Sequence, residues 1–118
     1  VDIPRFQKAR LVTWVKLDDG FGDHPKIERL SSDAFRAFVL GLCYCSRQLT
    51  DGHIPQRSIG RIAGRKVTSE LLTAGLWEPN GDGICVRSYL EYQPSAEGIR
   101  AKRAAEVERK RRGSGAET

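Results

Sequence analysis

The side chains best suited to catalysis or metal binding are few and scattered. Three cysteines (Cys43, Cys45, Cys85) and two histidines (His24, His53) accompany a carboxylate cluster of Asp18, Asp19 and Asp23. Zinc is the first chemistry such a set suggests. Cys43 and Cys45, however, lie in a segment of strong helical periodicity, where a spacing of two turns the side chains ~200° apart. Structural zinc takes cysteine pairs two to four residues apart on a turn. The sequence therefore predicts free thiols that behave as small hydrophobes, with no metal, no cofactor and no disulfide between Cys43 and Cys45. His24 and His53 flank turn residues and have no nucleophile beside them for acid–base work. Asp18, Asp19 and Asp23 surround Gly20 and read as turn and cap residues. Gly20-Phe21-Gly22 lacks the lysine and the strand-to-helix setting of a phosphate loop. The expectation is a non-enzyme with no catalytic residue.

The second chemistry is cationic. The 118-residue chain carries 20 Lys+Arg against 15 Asp+Glu, for a net charge of +5 and an isoelectric point near 9.4. A polyanion is the natural partner for such a balance. The excess is uneven. Residues 1–92 hold thirteen basic and eleven acidic side chains, and residues 93–118 hold seven and four. Arg100, Lys102, Arg103, Arg109, Lys110, Arg111 and Arg112 fall within thirteen residues, a density suited to releasing counterions from phosphates.

The elements that must position these groups follow from periodicity. Leu11–Leu17 alternates and reads as a strand or extended arm. Phe21–Leu30 reads as a loop leading into a short helix with Pro25 in its first turn. Ser31, Ser32 or Asp33 then caps a helix of about four turns whose stripe is Phe35, Phe38, Leu42, Cys45 and Leu49. Thr50-Asp51-Gly52 stops it, and Gly52-His53-Ile54 supplies a short strand. A second helix is expected from Gln56 to Ala63, with Gly64 ending it at positive φ. A third runs from Val67 to Ala74 and ends at Gly75. Leu76–Glu78 and Ile84–Tyr92 are expected to form a hairpin across Asn80-Gly81-Asp82-Gly83. Phe35, Phe38, Leu42, Ile59, Ile62, Leu71, Leu72, Leu76, Trp77 and Val86 are expected to share one core. Pro94 should end the ordered region. Ile99 and Val107 are the only large apolar residues beyond it, so that stretch should be a marginal helix or disordered, and residues 113–118 disordered.

The order helix, strand, helix, turn, helix, hairpin is that of a winged helix-turn-helix. The expected fold is thus α+β and mainly helical. It has an N-terminal arm (1–10), a winged-helix domain (11–94) including the strand or arm at its start, and a basic C-terminal tail (95–118). In this arrangement the third helix is the recognition helix. Lys66, Thr68, Ser69 and Thr73 would face DNA, with Arg57, Arg61 and Arg65 as the electrostatic patch, Arg87 contributing from the wing, and the seven tail cations as an anchor.

The segments Trp14-Val-Lys-Leu-Asp, Asp23-His-Pro-Lys-Ile, Thr50-Asp-Gly-His-Ile-Pro, Ala74-Gly-Leu-Trp-Glu and Tyr89-Leu-Glu-Tyr-Gln, taken in order, resemble helix-turn-helix proteins of actinobacterial phages and prophages. These are similar to the N-terminal winged-helix domain of phage replication initiators, the DnaD-like replisome organisers. The resemblance spans roughly residues 11–94 and implies a winged-helix fold that binds DNA or a replisome component.

The function expected is sequence-specific or structure-tolerant binding of double-stranded DNA, in phage-type replication or transcriptional regulation. The rival is a protein-interaction adaptor for a host replication or regulatory factor. Residues 50–92 balance five cations against five anions, and a groove reader usually carries a clear positive face. A homodimer is compatible with either reading. No apolar run approaches the ~20 residues of a membrane span, and the first residues lack the apolar stretch of a secretion signal. The expected location is the cytoplasm of a bacterial host cell.

Overall fold

The computed structural model describes residues 14–116. It is mixed α+β and mostly helical. A 3-10 turn at Phe21–Asp23 leads into α1 (Pro25–Glu28) and α2 (Ser32–Gln48). Then come β1 (His53–Ile54), α3 (Gln56–Ile62), α4 (Arg65–Thr73), β2 (Trp77–Asn80), β3 (Gly83–Val86), α5 (Tyr89–Tyr92) and α6 (Ala96–Ala116). The sheet is antiparallel in the order β1-β3-β2. Pro79 is tolerated because β2 is an edge strand and no ladder donor is needed there.

Helix α2 organises the core. Ser31 caps it, its Oγ accepting from the Ala34 N–H at 3.1 Å. The helix stops where Leu49 turns left-handed at φ 57°. Its buried face is Ala34, Ala37, Phe38, Gly41, Leu42 and Cys45. This corrects the stripe expected from large residues alone, because Phe35 is 40% exposed. It sits at the rim against Phe21, ring centroids 5.9 Å apart, while Phe21 stacks on Phe38. Small residues take the inner positions because the sheet comes close. A Cβ on Gly41 would lie 3.2 Å from both Ile54 Cδ1 and Trp77 Cζ2. Of the expected core, Phe38, Leu42, Ile59, Leu71, Trp77 and Val86 are buried together, and Ile62, Leu72 and Leu76 pack against them half-buried.

Two junctions differ from expectation. Gly64 does not end α3 at positive φ. It is extended (φ −74°, ψ 176°) and is the residue before α4, which therefore begins at Arg65 rather than Val67. The connection from α3 to α4 is Ala63 and Gly64, both extended, with no left-handed residue. Gly75 does take positive φ (76°). It closes α4 in a Schellman motif, with Gly75 N–H bonded to Leu72 O and Leu76 N–H to Leu71 O, both at 3.1 Å.

The returning strand ends at Val86, six residues earlier than expected. Ser88 turns left-handed at φ 59°, and α5 follows. Tyr89 is the cause: its ring is buried against the Thr50–Gly52 turn, where a Cβ on Gly52 (φ 101°) would meet the Tyr89 Cβ at 2.8 Å.

At the N-terminal end, residues 14–17 form no strand, and residues 11–13 of the expected one lie outside the described region. Lys16 is held instead by the buried Gln93 side chain. Lys16 N–H donates to Gln93 Oε1 at 2.9 Å, and Gln93 Nε2 donates to Lys16 O at 2.7 Å.

Beyond Pro94 the chain is helical through Ala116, including the described part of the stretch expected to be disordered. Its first turn is packed rather than free, with Ala96 and Ile99 only 5% and 4% exposed.

Candidate nucleic-acid interface

The segment α3–Ala63-Gly64–α4 and the β2–β3 hairpin enclose a groove of about 490 Å³. Its lining mixes small residues with the apolar Ile59, Leu72 and Ile84 and with Gln56. Gly60, Ala63 and Gly64 line one side, Thr68 and Ser69 of α4 the base, and Pro79 and Gly83 the hairpin side. Arg65 stands over the groove at the first turn of α4. The Thr68 Oγ1 is buried and has no hydrogen-bond partner in the described structure.

The hairpin meets this groove through the register Trp77↔Val86 to Asn80↔Gly83. Gly83 lies so close to the turn between β1 and α3 that a Cβ there would overlap the Ile54 carbonyl oxygen and sit 2.8 Å from Pro55 Cα. That contact fixes the tilt of the hairpin relative to α3.

Arg57 and Arg61 are exposed on α3, one turn apart, and Arg65 and Lys66 are exposed on α4. None of the four makes an ion pair with a described residue. Ser69 and Thr73 are exposed and Thr68 is half-buried. The structure brings Arg65, Thr68 and Ser69 to the groove. Lys66 and Thr73 lie on α4 outside its lining. Arg87 is at the base of the hairpin, not its tip, with its Nε 3.5 Å from the Glu78 carboxylate. The tip carries Asp82 instead, 3.6 Å from His53 Nε2.

Glu70 of α4 is held by the start of α2. Its carboxylate accepts from the Ser31 N–H at 2.8 Å and from Ser31 Oγ at 2.7 Å. The backbone donor chiefly, then the hydroxyl and the Lys66 charge, hold its pKa below the ordinary glutamate range. The effect is to tie the start of α2 to α4.

The tail cations lie on α6. Arg100, Lys102, Arg109, Lys110, Arg111 and Arg112 are exposed and Arg103 is half-buried. Glu106 pairs with Arg109, and Glu108 with Arg111 and Arg112. Such exposed pairs are worth ~0–1 kcal/mol each and yield readily to a phosphate.

Cys43 and Cys85 are half-buried free thiols, and Cys45 is buried. Burial, above all, pushes the Cys45 thiol up to about 11, so it stays protonated and unreactive at neutral pH. Among the described residues no three His, Cys, Asp or Glu side chains converge on a point.

Sequence reasoning missed a second concavity of about 340 Å³. Phe21, Phe38, Leu42, Val86 and Tyr89 line it, and Lys16, His24 and Gln93 stand at its edge. The signal was Gln93, a polar residue whose place between Tyr92 and Pro94 suits a buried tether.

No protein-family model, curated protein or solved structure matches the chain, and no helix among the described residues is long and apolar enough to cross a membrane.

Proposed function

We propose that this chain is a DNA-binding protein built on a winged helix-turn-helix, acting in phage-type replication or transcriptional regulation in a bacterial host. The observation that carries the reading is the groove between α4 and the β2–β3 hairpin. Gly60, Ala63, Gly64 and Gly83 line it, and the exposed Ser69 lines it beside Arg65. Arg57, Arg61 and Lys66 add unpaired positive charge nearby. In this reading α4 enters the major groove, the cations hold phosphates, and the exposed Ser69 hydroxyl lies within reach of base edges. The helix–strand–helix–helix–hairpin order supports the same assignment, as does the resemblance to the N-terminal domain of phage replication initiators. Double-stranded DNA is the proposed partner, with a host replication protein as a further one.

The test is selection of bound sequences from random duplex DNA at physiological salt. An enriched motif supports a sequence reader. Salt-sensitive binding without a motif supports a replication or architectural role. Absence of binding sinks the proposal.

A second reading, a protein adaptor, is favoured by one observation. Trp14 and Tyr92 are 77% and 68% exposed, and Leu17 and Leu90 are exposed as well. Aromatic side chains of this kind anchor protein interfaces. Capture of a replication factor, abolished by Tyr92→Ala and unaffected by Arg57→Ala, would favour the adaptor.

A further inference from the structure

The cavity of about 340 Å³ lies at the base of the hairpin, apart from the α4 groove, and the two share no lining residue. The loop before α1, helix α2 and the start of α5 frame it, with Val86 and Arg87 entering from the end of β3. Its volume falls within the ~300–1,000 Å³ of small-molecule sites. Phe21, Phe38, Tyr89 and Tyr92 line it together with Leu42 and Val86. Phe21 and Phe38 are stacked, with ring centroids 5.8 Å apart. Four rings around one space favour a guest with an aromatic body, which gains ring–ring contact beyond the area it buries.

The polar part of the lining is unbalanced. Its acceptors are largely taken by the chain's own backbone. Gln93 Oε1 accepts from the Lys16 N–H at 2.9 Å, His24 Nδ1 from the Lys26 N–H at 3.2 Å, and Asp18 Oδ1 from the Gly20 N–H at 2.8 Å. A neutral imidazole that accepts at Nδ1 carries its proton on Nε2, so His24 offers a donor. Lys16 and Arg87 bring positive charge, and Asp18 is the one carboxylate among the described lining residues. Asp19, Asp23, Glu28 and Glu91 lie outside the lining.

A further cation joins Arg87 at the rim. Lys26 Nζ and Arg87 Nη1 each stand 3.5 Å from the point that a Cβ would take on Gly75, so they are at most 7 Å apart. Leu76, the next residue, lines the cavity. Like charges at this separation repel. The negative end of α4 offsets part of the repulsion, and Glu78 offsets another part from the Nε side of Arg87, at 3.5 Å. Lys16, Lys26 and Arg87 together then face Asp18 and Glu78, which leaves an excess of one positive charge. A single negative charge completes the set. A dianion would overshoot it, and would be costly to desolvate among four rings.

We infer that this cavity is a binding site for a small aromatic monocarboxylate, with its ring among Phe21, Phe38, Tyr89 and Tyr92 and its carboxylate at Arg87 and Lys26. The site stands apart from the DNA-binding reading and does not depend on it.

The test is calorimetric titration of the full chain with 3-phenylpropionate, its neutral amide 3-phenylpropanamide, the amine 2-phenylethylamine and the aliphatic acid hexanoate. Methyl-resolved NMR places the guest. The acid is expected to bind one per chain with a Kd on the order of 0.1–1 mM, about tenfold or more tighter than the amide, with the amine weakest. The Leu42 and Val86 methyls are expected to shift, and the Ile59 and Leu72 methyls, which line the α4 groove, to stay in place. K26Q/R87Q changes two exposed side chains. It is expected to weaken the acid about tenfold or more while leaving the amide within about twofold. R36Q removes an exposed cation elsewhere, on α2, and is expected to bind the acid as the parent does. Equal affinity for acid and amide would overturn the inference, as would parental affinity in K26Q/R87Q or equal loss in R36Q. So would shifts confined to the Ile59 and Leu72 methyls, hexanoate binding as tightly as the aromatic acid, or neither heat nor shift at about 10 mM acid. Duplex binding through the α4 groove is measured separately, and none of these outcomes alters it.

Discussion

Gly83→Ala is the substitution on which the fold and the proposed groove both depend. The added methyl would overlap the Ile54 carbonyl oxygen and lie 2.8 Å from Pro55 Cα and 3.0 Å from Gln56 N. All three are backbone atoms, so no side chain can rotate aside. Either β1 separates from β3 or the hairpin tilts outward. Strand β1 has only two residues, His53 opposite Cys85 and Ile54 opposite Ile84, so losing its pairing removes one or two hydrogen bonds worth ~1 kcal/mol each. Overpacking adds ~1–3 kcal/mol. The sum is about 3 kcal/mol, or a fall in Tm of ~12–24 °C for a domain of this size. Gly81→Ala is the control. Its Cβ meets nothing within 4 Å, so only the left-handed φ of 58° opposes it, at ~1–2 kcal/mol. Urea unfolding followed by circular dichroism measures both. If Gly83→Ala unfolds within 1 kcal/mol of the parent, β1 is not seated against β3 as described, and the groove wall is misplaced with it.

Leu71→Ala should cost ~2–5 kcal/mol in the same assay, because the side chain is fully buried beneath α4. Asp51→Ala should loosen α6 by ~1–2 kcal/mol, seen as faster proteolysis after Arg100 with little change in the global midpoint. Glu70 has a depressed pKa, so its tie to Ser31 adds stability above the ordinary glutamate range and loses it as pH falls through the depressed value. Glu70→Gln should therefore flatten the acid limb of stability against pH. Cys45 has a raised pKa of about 11. Its contribution is complete below the ordinary thiol range and is lost as pH rises toward that value. At pH 8 a disulfide reagent should modify it only at the rate of unfolding.

The elements held by local rules were legible in the sequence. Ser31 before an amphipathic run, Gly75 after one, and the Asn80–Gly83 turn each mark a boundary by chemistry acting over a few residues. What was not legible depends on partners far along the chain. Gln93 reaches Lys16 across 77 residues and Asp51 reaches Ala96 across 45, and no periodicity encodes either. Tyr89 continued an apparent strand pattern, yet its burial against Gly52 ends that strand. Phe35 was assigned inward because hydrophobic size was weighted over fit, whereas Ala37 and Gly41 take the inner positions where helix and sheet are closest. For the proposed site, the cations and hydroxyls could be named from type and position. The commitment of Glu70 to Ser31 and the arrangement of the groove could not.

The Thr50-Asp51-Gly52 turn touches three parts of the molecule at once. It follows the left-handed end of α2, Gly52 presses on Tyr89, and Asp51 holds the first amide of α6. Mechanically it is a fulcrum. Helix α6 has 21 residues and is therefore ~32 Å long, and its buried residues, Ala96 and Ile99, both lie near its start. A tilt of about 10° at Asp51 displaces its far end by about 5 Å. A shift at the end of α2 too small to disturb the core would thus be amplified at the tip of the arm.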